Sequence, residues 1–287
     1  MNGVLLVDKP VGLTSHDIVE YVRKLFKTKA GHAGTLDPFA TGLLVLLIGE
    51  ATKLSSFFIK EKKTYIATMQ FGIKTNTLDI TGKLLMKNNI FIKTDEVEDV
   101  LKSLKGEIEL FVPLFSAKKV KGRKLYEYAR EEIDIEIPKM KSIIYNIEIL
   151  NYCYPYLTFR VECSHGTYIR SLADEIARRL GTIATLTMLR RVKSGRFDVK
   201  DSFSLDIISK EAIVSLENLI LNEMLVSDRA FKKVLNGNPL TFKDIREIRQ
   251  VDESFGEFYK IRLDSILIVY HREDDKFKYL LKVENDR

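Results

Sequence analysis

Apolar and polar positions along the chain follow two periods. Ile18, Val19, Val22, Leu25 and Phe26 recur at helical spacing, and Thr14 with Asp17 three residues on forms a capping box ahead of them. Ile169, Leu172, Ala173, Ile176, Ala177 and Leu180 trace the most regular helix, with Gly181 just past its end. Val97, Val100, Leu101 and Leu104 line a third, opened at Thr94 with Asp95 and Glu96 in its first turn and closed at Gly106. Arg123–Glu131 reads as a short basic helix. The strand pattern is as plain. Leu43–Ile48 is a continuous apolar run, the signature of a buried strand, reached through a glycine-rich loop from Gly31 to Pro38. Tyr65, Ala67, Met69 and Phe71 alternate on one face of another strand. Ser142–Leu150, Leu157–Ser164 and Ala184–Val192 read as further strands.

Helices and strands mix without a regular βαβ repeat. The expected class is therefore α+β, a mixed and mainly antiparallel sheet with flanking helices over residues 1–226. After about Ser227 the texture changes. A short helix ending at Gly237 leads to strands near Phe258–Leu263, Ile266–Tyr270 and Tyr279–Val283. Residues 227–287 are predicted as a small β-rich domain, marginal alone at roughly 60 residues and packed on the larger one.

Composition narrows the class. Of 287 residues 45% are hydrophobic and 30% charged, the profile of a globular chain rather than a disordered or fibrous one. The apolar run Leu43–Ile48 is too short to span a bilayer, and no signal peptide is read at the N-terminus, so a cytoplasmic protein is expected. The net charge is +6, unevenly placed. Lys118–Arg130 carries six basic residues and one acid; His165–Lys200 carries eight basic residues and three acids. Focused positive charge on an otherwise acidic body suits a polyanionic partner, or two solvated faces. Cys153 and Cys163 cannot build a disulfide framework, and Cys163 falls on the apolar face of its strand.

No phosphate-loop, dinucleotide-binding or esterase motif is present, and His16, His32, His165 and His271 show no ligand spacing. No cofactor or metal is expected. Three segments carry candidate chemistry. Asp37 lies between glycines in Gly31–Gly42, and Pro38 biases it toward extended backbone. It can present its carboxylate from the loop or cap its own backbone in an Asx-turn. Tyr168 and Arg170 open the regular helix outside its apolar stripe; Arg170 can pair with a carboxylate and Tyr168 can stack on a planar group, or both can be surface and packing residues. In Pro113–Arg130 cations interleave with Phe115, Tyr126 and Tyr128, which suits phosphates and unstacked bases, or a charged hairpin with its aromatics turned inward.

Together these segments resemble the tRNA pseudouridine synthase B family, stand-alone bacterial enzymes that modify the T loop of tRNA. The matching pieces run in the family's order: Val7–Asp17, Gly31–Gly42, Tyr65 with Gly72 and Thr77–Gly82, Pro113–Arg130, Gly166–Ser171 and Leu189–Arg191. They cover about the first 200 residues. Val112 departs from the pattern, standing where many relatives have proline. The resemblance implies an isomerase that converts uridine-55 to pseudouridine after flipping the base, without a cofactor. It implies that Asp37 is the catalytic aspartate, ion-paired to Arg170, and that Tyr65 stacks on the target uracil. Tyr168 completes the active-site pair with Arg170, Leu189 borders the uracil pocket, His32 helps hold the flipped-out state, and Lys9 lies near the substrate. The partner implied is the T arm of tRNA, bound by a monomer with no obligatory protein partner and no membrane. The tail resembles a PUA-like RNA-binding domain through Leu235–Gly237 and the late strands. Two rival readings are the guide-RNA-dependent relative of archaea and eukaryotes, and a non-catalytic tRNA chaperone needing the basic surface but neither Asp37 nor Arg170.

Overall fold

A computed structural model describes residues 1–250 and 257–284. Its main element is a ten-stranded mixed sheet. Along its path run strands Val214–Ser215, Gly3–Lys9, Thr41–Ile48, Ala184–Ser194, Lys63–Phe71, Tyr156–Cys163, Lys139–Cys153 and Gly106–Phe111. Neighbours on this path are antiparallel except where Thr41–Ile48 meets Ala184–Ser194; there Arg190 stands opposite Thr41 and Arg191 opposite Gly42.

Alternation along the strands explains what covers each face. Leu5, Val7, Leu44, Leu46, Tyr65, Ala67, Met69 and Phe71 point into one core with helices α1 (Ser15–Phe26), α3 (Thr94–Ser103) and α5 (Ile169–Arg179). Two shorter helices, α2 (Ser55–Lys60) and α4 (Leu125–Arg130), lie outside that layer. Val4, Leu6, Leu43, Val45 and Leu47 point the other way, against Phe258, Leu267, Val269, Leu281 and Val283. Leu43–Ile48 is therefore apolar at every position because both of its faces are covered.

The covering residues belong to a second, six-stranded sheet, in the order Leu240–Thr241, Lys276–Glu284, Ile266–Glu273, Phe258–Leu263, Glu223–Val226 and Ile245–Arg249. Glu223–Val226 joins this sheet ahead of residue 227, with Met224 buried in its core. The fold is thus α+β, as the patterning predicts. Two details differ. Leu25 sits at helical spacing but is exposed, since α1 buries only Ile18, Val19, Val22 and Phe26 of its apolar side chains. Gly106, read as a helix stop, opens the strand Gly106–Phe111 with a left-handed φ of 103°. Among the described residues no helix is long and apolar enough to cross a membrane.

Candidate active site

Asp37 hangs from a loop that is pinned on every side. After strand Ala30–His32 the backbone turns at Gly34, whose φ of 120° suits a residue without Cβ. Arg191 donates from Nη2 to the Gly34 carbonyl at 3.0 Å and from Nε to the Leu43 carbonyl at 2.7 Å. The Leu36 amide donates to Ser15 Oγ at 2.8 Å. Beyond Asp37, the Pro38 carbonyl accepts from the Gly12 amide at 2.8 Å and from Lys9 Nζ at 3.3 Å. Lys9 also donates to Pro10 and Leu13 carbonyls, at 2.8 and 2.6 Å, and burial pushes its ammonium down to about 8.

Arg170 meets this loop from the first turn of α5. Leu172, Ala173, Ile176 and Ala177 bury one stripe of that helix, and this orients its N-terminal end. From there Arg170 Nε donates to Asp37 Oδ2 at 3.0 Å and Nη2 to Oδ1 at 2.9 Å, a fork-on-carboxylate contact. The remaining donors reach the Thr77 carbonyl at 2.9 Å and the Phe115 carbonyl at 3.2 Å. The Arg170 side chain is 4% exposed, whereas Asp37 keeps 32%, so the carboxylate is held from behind and open in front. Asp37 thus takes the ion-pair role rather than the Asx-turn role.

A second carboxylate, Asp79, stands 3.7 Å from Arg170 Nη1. It is buried and accepts from Thr77 Oγ1 at 2.8 Å and from the Thr81 amide at 3.0 Å. Sequence reasoning did not single it out. The signal available was its place in Thr77–Gly82, where an acid among threonines reads as an ordinary turn cap.

The pair opens onto a cleft of about 560 Å³, a volume typical of small-molecule pockets. His32, Tyr65, Tyr168 and Leu189 line it with Asp37 and Arg170. Tyr65 faces the cleft from strand Lys63–Phe71, opposite Arg191 in register. Burial raises its phenol above the usual range and keeps it neutral. His32 is pushed down, first by burial and then by Arg191, and its Nδ1 has no hydrogen-bond partner. Tyr168 caps the start of α5, its carbonyl accepting from the Leu172 amide at 3.0 Å. Lys9 does not line the cleft: its ammonium is buried against three carbonyls and holds the loop from behind.

Pro113–Arg130 divides between the two alternatives. Phe115 and Tyr126 line the cleft, while Tyr128 turns inward onto Val112 and Leu125. The hairpin Lys119–Val120 with Arg123–Lys124 turns at Lys121 and Gly122, both left-handed, and leaves Lys118, Lys119 and Lys121 exposed. Val112 donates its amide to the Pro138 carbonyl at 3.0 Å, a bond that a proline there would lack. The other basic stretch is mostly engaged within the chain. Arg178 and Arg179 pair with Glu175, Arg190 with Asp8 and Lys193 with Asp198, and Arg191 is buried.

The sequence model of the TruB family pseudouridylate synthase (N-terminal domain) matches residues 23–169. A protein of Caldicellulosiruptor saccharolyticus named tRNA pseudouridine synthase B is 74% identical over 287 residues, all of both chains. The chain belongs to the TruB family. Another relative with that name, from Clostridium kluyveri, is 41% identical over 251 residues, covering 85% of this chain and 86% of its own. Among solved structures, a chain of a Cbf5-Nop10-Gar1 complex superposes with a TM-score of 0.67 at 28% identity, over 90% of this chain and 74% of that one. This TruB-family chain therefore carries Asp37 inside the segment that the family model matches and Arg170 one residue beyond its end.

Proposed function

We propose that this TruB-family chain converts uridine-55 in the T loop of tRNA to pseudouridine, with Asp37 as its catalytic residue. The observation that carries the reading is the Asp37 carboxylate, clamped by a buried Arg170 yet open to the cleft beside Tyr65. An isomerisation neither adds nor removes atoms overall. It needs a nucleophile or base next to the ribose and a platform for the base. Asp37 supplies the first, and its clamp fixes the carboxylate in one orientation before substrate arrives.

The target base is stacked inside a folded T loop and must leave it, at roughly a few kcal/mol of lost stacking. Tyr65 offers a replacement face, Leu189 and Tyr168 border the base, and neutral His32 lines the same cleft beside the flipped state. Asp79 and Lys9 act behind them as positioning residues, the one on Arg170 and the other on Pro38. The exposed cations of the Lys119–Lys124 hairpin face the phosphates, and the C-terminal sheet serves as a PUA-like RNA-binding unit. The chain works alone.

The rival guide-RNA-dependent reading rests on the motifs around Asp37 and Arg170, whereas the relatives named tRNA pseudouridine synthase B match this chain at up to 74% identity. Incubating the purified chain with a bare, unmodified T-arm hairpin separates the two. Pseudouridine at the position of uridine-55 is expected; formation only after guide RNA is added would overturn the proposal.

A further inference from the structure

Resting on that reading, we propose that Lys63, with Arg191 beside it, is a positioning residue that keeps the base pocket positive so that uracil can leave the ribose as an anion. Lys63 opens the strand that carries Tyr65. Its ammonium folds back on the end of α2 and donates to the carbonyls of Phe58 at 3.0 Å, Ile59 at 3.1 Å and Glu61 at 2.7 Å. Arg191, on the neighbouring strand, spends its guanidinium on the carbonyls of Leu43 and Gly34. Both residues are buried and both line the cleft. Among the described residues neither has a carboxylate within ion-pair distance.

Carbonyl dipoles solvate a cation without cancelling its charge. Around the cleft the buried cations Lys63, Arg170 and Arg191 thus outnumber the carboxylates Asp37 and Asp79. Uncompensated charge shut away from water is expensive in the empty site and becomes favourable when an anion arrives. The strain on Lys63 is visible: burial, with Arg191 second, pushes it down to about 8. The other groups facing it do not relieve this. Glu61 is exposed at the end of α2, and the Cys163 thiol on the next strand is pushed up to about 12 by burial and stays neutral.

The reaction supplies an anion at this place. When the N1–C1′ bond breaks, its electron pair stays with the base, and uracil carries the negative charge. After the base turns, C5 bonds to C1′, the C5 proton is lost, and N1 takes up a proton, so no oxidant or reductant is needed. A preorganised positive field in a site poor in water lowers that barrier without touching the base, as fixed dipoles do in oxyanion holes.

Three proteins test this: the intact chain, Lys63→Gln and Lys63→Met, measured by single-turnover conversion at saturating tRNA and by tRNA affinity. Gln keeps hydrogen-bond donors for the α2 carbonyls and loses the charge; Met loses both. Both variants are expected to convert at least ~10²-fold more slowly, with affinity changed less than about threefold. Above pH 8 the intact chain's rate should fall more steeply than that of Lys63→Gln, in which Lys9 alone of the two lysines remains to lose its proton. A Gln variant as fast as the intact chain would show that Lys63 only fastens α2 and would overturn the inference. So would a loss confined to affinity, or pH profiles of the intact chain and Lys63→Gln that run parallel. Should the intact chain form no pseudouridine at all, the proposed function itself falls.

Discussion

Arg170 matches Asp37 in geometry as well as in charge: two parallel N–H donors meet two carboxylate oxygens, which a lysine ammonium could not reproduce. The two residues lie 133 positions apart, and no periodicity links positions so distant. Local patterning left each with a bland alternative, and only their joint presence in family motifs paired them. Asp79 stayed hidden for a related reason, because it does cap a turn and its contact with Arg170 exists only in three dimensions. Tyr65 was legible by alternation as a strand residue, yet alternation alone places it in the core. Its edge on the cleft makes it testable. Tyr65→Leu keeps the apolar bulk and loses the aromatic face, which is worth ~1–3 kcal/mol per stacked base. Turnover is expected to fall by about 10- to 100-fold with tRNA affinity nearly unchanged, as measured by single-turnover rates and filter binding. Equal losses of both would mark a purely structural tyrosine.

At the scale of elements, most of what lies near the site could be read in advance. The capping box at Thr14 and Asp17, the strand Leu43–Ile48 and the glycine stop at Gly181 all form as their residues dictate. Gly3–Lys9 and Gly106–Phe111 were not read as strands. The first is too short a run to tell from a buried helix segment, and the second carries charged residues on its open face beside the buried Ile108 and Leu110. The parallel junction of Thr41–Ile48 with Ala184–Ser194 was invisible for the same reason as the ion pair. It needs Gly42, whose φ is 98° and whose added Cβ would meet the Arg191 carbonyl oxygen at 2.3 Å. Gly42→Ala is expected to destabilise the fold by about 3 kcal/mol, from close packing and backbone strain together. It should also shift Arg191 away from the Asp37 loop, so that the activity of the folded fraction falls. A chemical-denaturation midpoint and a specific activity equal to those of the parent chain would contradict this.

At the scale of the whole molecule, the two large sheets are joined by one apolar layer. Val4, Leu6, Leu43, Val45 and Leu47 share their core with Phe258, Leu267, Val269, Leu281 and Val283 of the C-terminal unit, and with Leu54, Phe58, Leu216 and Leu219 of the main domain. The tail was recognisable by its late strands, but the layer was not, since a run buried on both faces does not say what buries it. A cut after residue 226 would also leave the strand Glu223–Val226 without its partners. Such a truncated chain is expected to expose this layer and aggregate, as seen by light scattering and dye binding. A soluble, active truncation would show the layer to be dispensable. The charge pattern divides in a similar way. The Lys119–Lys124 hairpin keeps exposed cations, while much of the basic stretch after His165 is taken up by Glu175, Asp8 and Asp198.

Conversion of uridine in unmodified tRNA, read by nucleoside analysis after incubation with the purified chain and with Asp37→Asn, bears most directly on the site. The intact chain should place one pseudouridine in the T loop, and Asp37→Asn should lower the rate by at least ~10³-fold while still binding tRNA. Undiminished conversion by Asp37→Asn would contradict the role given to that carboxylate and to the arginine that holds it.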